Sequence, residues 1–227
     1  GPSAAWMGLT IVMIAASMVL LVTVPNVEAR PVQSGQPVLD RGWQKKPAFI
    51  GLAAAYGAAG AGYVPHTIIF VDHVARDLGH GLAVGGLIWT ITGLTAVAAP
   101  LVAGIVADRF GFAWALRVIL GLMTIGACIP AFTSMLLPLL LSSMLCGGLM
   151  IGLGSLAAGR TREIVGAEAH APAWAAQTVL FAVAQALAAY ATTAALAATG
   201  NHALVFAVAG MIMAAGLAVD LALSRQN

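Results

Sequence analysis

The sequence predicts an all-α integral membrane protein with seven transmembrane helices. Three observations carry this. Of the 227 residues, 61% are hydrophobic and 8% charged, and the mean hydropathy is +0.97. A soluble domain runs at roughly 45–50% apolar and about 25% charged. The apolar residues gather into seven stretches, each close to the ~20 residues that cross a bilayer as one helix. Lysine and arginine fall almost entirely between alternate stretches, as the positive-inside rule requires of a multi-pass protein. This composition excludes a soluble enzyme and a disordered chain. A net charge of +2 leaves no basic patch for nucleic acid. The apolar runs do not alternate with polar residues, which excludes a β-barrel.

The stretches run from Ala4 to Pro25, Ala48 to Val71, Leu82 to Val106, Phe112 to Thr133, Met135 to Ala158, Pro172 to Ala198 and Ala203 to Leu223. The first is no signal peptide, because it lacks a basic leader and is too long. Phe112 to Gly159 is far too long for one helix, and Pro130, Ser134 and Pro138 bracket the expected turn. The segments between stretches place Arg30, Arg41, Lys45, Lys46, Arg109, Arg117, Arg160, Arg162 and Arg225 on one side and Arg76 on the other. The nine-residue side is cytoplasmic by this rule. The N-terminus is then outside and the C-terminus inside, in a cell (inner) membrane.

The chain divides into a helix over 1–25, a cytoplasmic linker over 26–47 and a group of six helices over 48–227. The linker carries Pro31, Pro37 and Pro47 with two glycines and mixed charge, the composition of a flexible connector. Gly1-Pro2-Ser3 has no initiator Met. The expectation is that the chain is the later part of something longer, its first helix closing a missing N-terminal half.

After the third stretch comes Gly104-Ile-Val-Ala-Asp108-Arg109-Phe-Gly111. It resembles the G-x-x-x-D-R-x-G signature of the major facilitator superfamily, whose halves are repeats of six spans. Phe112 stands where the family pattern ends on another basic residue. The second stretch, Ala55-Tyr56-Gly57 through Gly60, Gly62, Tyr63, Pro65 and His66 to Ala75-Arg76-Asp77, is similar to the YbfB/YjiJ-like branch of that superfamily. The resemblance extends through Trp89 and Gly93. It implies a secondary active transporter of a small solute working by alternating access, and six helices that form one half of a major-facilitator-type bundle. The partners it implies are the solute, the lipid bilayer, and a missing N-terminal half or a partner chain. Gly104, Asp108, Arg109 and Gly111 are then a gating motif. Residue chemistry adds that Asp108 can cap a helix or meet an arginine across the bundle.

Polar groups within lipid are costly and usually face a bundle interior. At roughly 100° per residue, Tyr56, Gly60, Tyr63 and Thr67 fall within about 60° of one another. Pro65 and the glycines weaken that helix, and interrupted helices are where transporters expose backbone to solute. This face is the candidate substrate wall; the alternative is a close helix–helix contact. His66 adjoins it and is a candidate proton relay or anion ligand, or else a histidine bonded to a neighbouring carbonyl. Gln177 and Gln185 in the sixth stretch are candidate liners or interhelical hydrogen bonds. Asp220 is expected to pair with an arginine near the cytoplasmic end. Cys128 and Cys146 read as small core residues.

His73, His80, His170 and His202 share no metal-ligand spacing, so no metal is expected. No phosphate-binding loop appears, so no cofactor and no ATP-driven pump is expected. An enzyme is not indicated, since no cluster of acidic or His residues marks one interface. The alternative function is a seven-helix membrane receptor. It would be one without retinal, because the last stretch lacks a lysine.

Overall fold

A computed structural model describes residues 2–23 and 42–224 of the chain. Most of the expected linker lies outside the described residues. The chain forms two units, Gly1–Leu39 and Asp40–Asn227. In the first, α1 is a helix over Pro2–Thr23. At 1.5 Å per residue it is about 33 Å long, enough to cross the hydrocarbon.

In the second unit, six helices are long and apolar enough to span a membrane. They are α2 (Pro47–Asp77), α3 (Leu82–Phe110), α4 (Phe112–Ala131), α5 (Leu136–Val165), α6 (Ala167–Thr199) and α7 (His202–Leu223). No strand occurs among the described residues. The all-α membrane architecture is as the sequence predicts, and each turn falls within a few residues of its expected place. The helices nevertheless outrun the apolar stretches. α2 extends past Val71 to Asp77, α5 past Ala158 to Val165, and α6 starts at Ala167 rather than Pro172. The added turns hold Arg76, Arg160, Arg162, Glu163 and Glu168. Hydropathy marks the hydrocarbon, whereas backbone hydrogen bonding continues past the last apolar residue.

Two helices are locally unwound. α2 is regular to Ile68, then passes through Ile69 into a π-turn over His73–Asp77. α5 carries a second π-turn over Ser143–Gly148. Such turns insert one residue into the hydrogen-bond ladder and recur at functional sites.

Lipid tails offer no hydrophobic gain for bringing helices together, so close van der Waals approach must do it. α2 and α7 meet most closely. A Cβ on Gly62 would lie 2.7 Å from the Ala209 carbonyl oxygen, and one on Gly216 would lie 3.1 Å from the Ala55 Cα. α2 is the most enclosed span, and α6 and α3 are the least. The core runs through Leu52, Ala59, Leu116, Leu120, Met123, Leu153 and Met213.

The segment just before α2 is anchored. Gly42–Lys45 forms a 3-10 turn. Trp43 is buried edge-on to Phe49, ring centroids 4.8 Å apart. Lys46 Nζ donates to the Ile164 carbonyl at 2.8 Å, serving the open C-terminal end of α5.

Candidate functional site

Tyr56 is buried, its ring stacked on Phe181 at 4.7 Å and tilted against Trp174 at 5.5 Å, both from α6. Gly60 gives the Phe181 ring its room, since a Cβ there would sit 2.7 Å from Phe181 Cδ2. The first half of the predicted face therefore meets α6. The second half is more open: Tyr63 and Thr67 are half-buried. The Thr67 hydroxyl donates to the Val64 carbonyl at 2.7 Å and so is satisfied within its own helix.

His66 points elsewhere. It is buried, stacked on Phe70 at 4.8 Å and edge-on to Phe206 at 5.3 Å. Its Nε2 lies 2.8 Å from Ser142 Oγ, and that hydroxyl donates to the Gly126 carbonyl at 2.7 Å. A hydroxyl has one proton to give. Ser142 therefore accepts from His66 Nε2–H, a chain linking α2 to α5 and α4. The tautomer leaves Nδ1 as an acceptor, buried and without a partner.

Gln177 is buried against Thr161 of α5 at 2.9 Å. The Thr161 hydroxyl also lies 2.7 Å from the Ala157 carbonyl and cannot donate twice. Either orientation of the amide leaves one of its polar atoms buried and unpartnered. His66 and Gln177 thus hold the buried side-chain polar atoms that lack a partner among the described residues. Gln185, two turns along α6, is half-buried.

The Gly104–Gly111 segment ends α3 and turns into α4. Gly111 has φ +85°, a conformation glycine adopts without strain, and its N–H donates to the Ala107 carbonyl at 2.7 Å. Asp108 and Arg109 are exposed. Asp108 forms no ion pair and no helix cap among the described residues, so neither role expected of it is filled there. The Arg109 guanidinium lies 5.4 Å from the Phe110 ring centroid. Phe112 fills the groove over Gly159 of α5, which accounts for an aromatic where the family pattern has a basic residue.

The site residues that sequence reasoning missed are the partners: Trp174 and Phe181 against Tyr56, Ser142 against His66, Thr161 against Gln177. Trp174, Gln177 and Phe181 are spaced i, i+3, i+7 on α6, a visible signal for one face. Ser142 carries no such signal. Tertiary structure also gathers His73, Asp77 and His202, whose ligand atoms lie within 4.8 Å of one another. The spacing of His73, His80, His170 and His202 had pointed to no metal site.

Six lipid-length helices with buried polar side chains between them define a multi-pass membrane protein. The model of the family described as uncharacterised MFS-type transporter YbfB matches residues 1–221, and the chain belongs to that family. No curated protein matches the chain. The receptor alternative is not favoured by this family.

Proposed function

We propose that the chain is a secondary active transporter that carries a small solute by alternating access. Its six-helix unit acts as one half, rocking against a second six-helix unit. The observation that carries this is the pair of buried, unpartnered polar atoms on His66 and Gln177. Such groups are rare because each costs about 1–3 kcal/mol. A solute or proton arriving in the bundle would supply the partner they lack. The half-buried Tyr63, Thr67 and Gln185 complete the proposed wall with Tyr56 and Gly60. The exposed apolar faces of α3 (Leu94, Val97, Leu101) and α6 (Val179, Val183, Leu187) suit lipid or the second unit. The exposed Asp108 and Arg109 are free to engage a partner across the gate.

The test is counterflow. The chain is reconstituted in vesicles preloaded with an unlabelled solute, over a panel of small solutes, and uptake of the labelled form is followed. Transient accumulation above equilibrium supports alternating access. Flux that is linear in concentration and indifferent to preloading overturns it.

The proposed orientation has an inner-membrane chain with the N-terminus outside and the C-terminus cytoplasmic. A reporter fused after Gln226 is then expected to stay cytoplasmic, and one inserted near His80 to be exported. The reverse pattern overturns the orientation.

A further inference from the structure

At the end of the bundle opposite the Asp108–Arg109 turn, α2 and α7 bring three metal-ligating side chains together. His73 Nδ1 lies 3.2 Å from Asp77 Oδ2, and His202 Nε2 lies 3.1 Å from the same oxygen. The imidazole rings are stacked, centroids 4.3 Å apart and planes 20° apart. We propose that His73, Asp77 and His202 form a divalent transition-metal site, with zinc as the ion the donor set fits best.

The nitrogen–oxygen distances accommodate an ion, and the three ligand atoms all lie within 4.8 Å of one another. Zinc bonds to imidazole nitrogen and carboxylate oxygen at about 2.0–2.2 Å, so adjacent ligand atoms of a tetrahedron stand about 3.3 Å apart. Both nitrogen–oxygen separations are within a few tenths of that edge. Two imidazoles and one carboxylate suit zinc, whereas calcium and magnesium take oxygen ligands. Three protein ligands leave a fourth position for water. The Asp77 side chain is 43% exposed, so the site opens to the aqueous phase.

The ligands sit on structured backbone. The π-turn, closed by Leu78 N–H to the His73 carbonyl at 2.9 Å, keeps His73 and Asp77 on one side of α2. Asn201 caps α7 through the Leu204 N–H at 3.0 Å and fixes where His202 begins the helix. Arg76, which precedes Asp77, is held by Asp72 at 2.7 Å and leaves Asp77 to the imidazoles. A bound ion would staple the far end of α2 to the start of α7. The inference is independent of the solute reading, since none of these residues lines the proposed wall.

The experiment uses the full chain, purified without a polyhistidine tag and stripped with a chelator. Cobalt(II) is titrated and visible absorption recorded, then zinc is added in competition. One equivalent of cobalt with a four-coordinate spectrum, displaced by zinc, is expected. His73→Ala, His202→Ala and Asp77→Asn should each weaken zinc binding at least about tenfold, since even outer-shell partners are worth roughly 10–100-fold. His80→Ala and His170→Ala should leave it unchanged. His202→Gln separates a metal ligand from a hydrogen-bond clamp, because its amide still donates to Asp77. Its metal-free Tm should match the parent while the zinc-induced rise in Tm disappears. No saturable cobalt or zinc binding by the parent chain, or equal binding by the His73 and His202 variants, overturns the site.

Discussion

Arg117 Nε donates to Asp220 Oδ2 at 2.7 Å and ties α4 to α7, with the Asp220 side chain only 6% exposed. Ser224 Oγ lies 3.4 Å from the other carboxylate oxygen. A nearly buried carboxylate needs its partner, because losing one member of such a pair leaves an uncompensated charge. Arg117→Leu is expected to cost about 3 kcal/mol, the lower end for buried pairs because Arg117 is partly exposed. The double variant Arg117→Leu/Asp220→Leu should recover most of the loss. Thermal unfolding in detergent measures both, and a harmless single variant would show the pair to be dispensable.

Ser142→Ala strands the His66 Nε2–H in a buried site, and stability should fall by about 1–3 kcal/mol. Removing the imidazole as well, in His66→Leu/Ser142→Ala, should cost less than the sum of the two single changes. Additive effects in this double-mutant cycle would show that the 2.8 Å contact carries no coupling.

Gly62→Ala would push a methyl into the Ala209 carbonyl, a backbone atom that cannot step aside. Overpacking of this kind costs about 1–3 kcal/mol. Gly121→Ala on α4 meets nothing within 4 Å and should be neutral or stabilising by up to about 1 kcal/mol. Comparing the melting temperatures of the two variants tests whether α2–α7 approach holds the unit together.

Asp108→Ala removes an exposed carboxylate without an ion-pair partner among the described residues, so stability should change by no more than about 0.5 kcal/mol. Transport should nonetheless slow, because a charge at a helix end biases a two-state equilibrium by about 0.3–1 kcal/mol. Unchanged transport would reduce the motif to a charged turn.

Single cysteines at Tyr63, Thr67 and Gln185, in a chain lacking Cys128 and Cys146, should react with small water-soluble thiol reagents. Cysteine at Ala59, which is fully buried on the same helix, should react slowly. Equal labelling at all four positions would remove the face from the proposed pathway.

The spans, their order and the turn between α4 and α5 were legible in the sequence. A lipid-crossing helix is a local property: its backbone bonds close within the segment, and hydropathy reports its solvent. The Gly104–Gly111 turn was legible for the same reason, since Gly111 answers to its own φ. The partners of the site residues were not. Asp220 announced a need for an arginine, but only packing chose Arg117, 103 residues away. His66 announced a buried polar group, and packing chose Ser142. The π-turn and the start of α7 bring His73, Asp77 and His202 within reach, although His202 lies 125 residues from Asp77 in the chain. Long-range pairing depends on how helices rotate about their own axes in the bundle. In a chain that is apolar all round, hydrophobic periodicity cannot encode that rotation; small residues at close contacts and a few buried polar pairs set it.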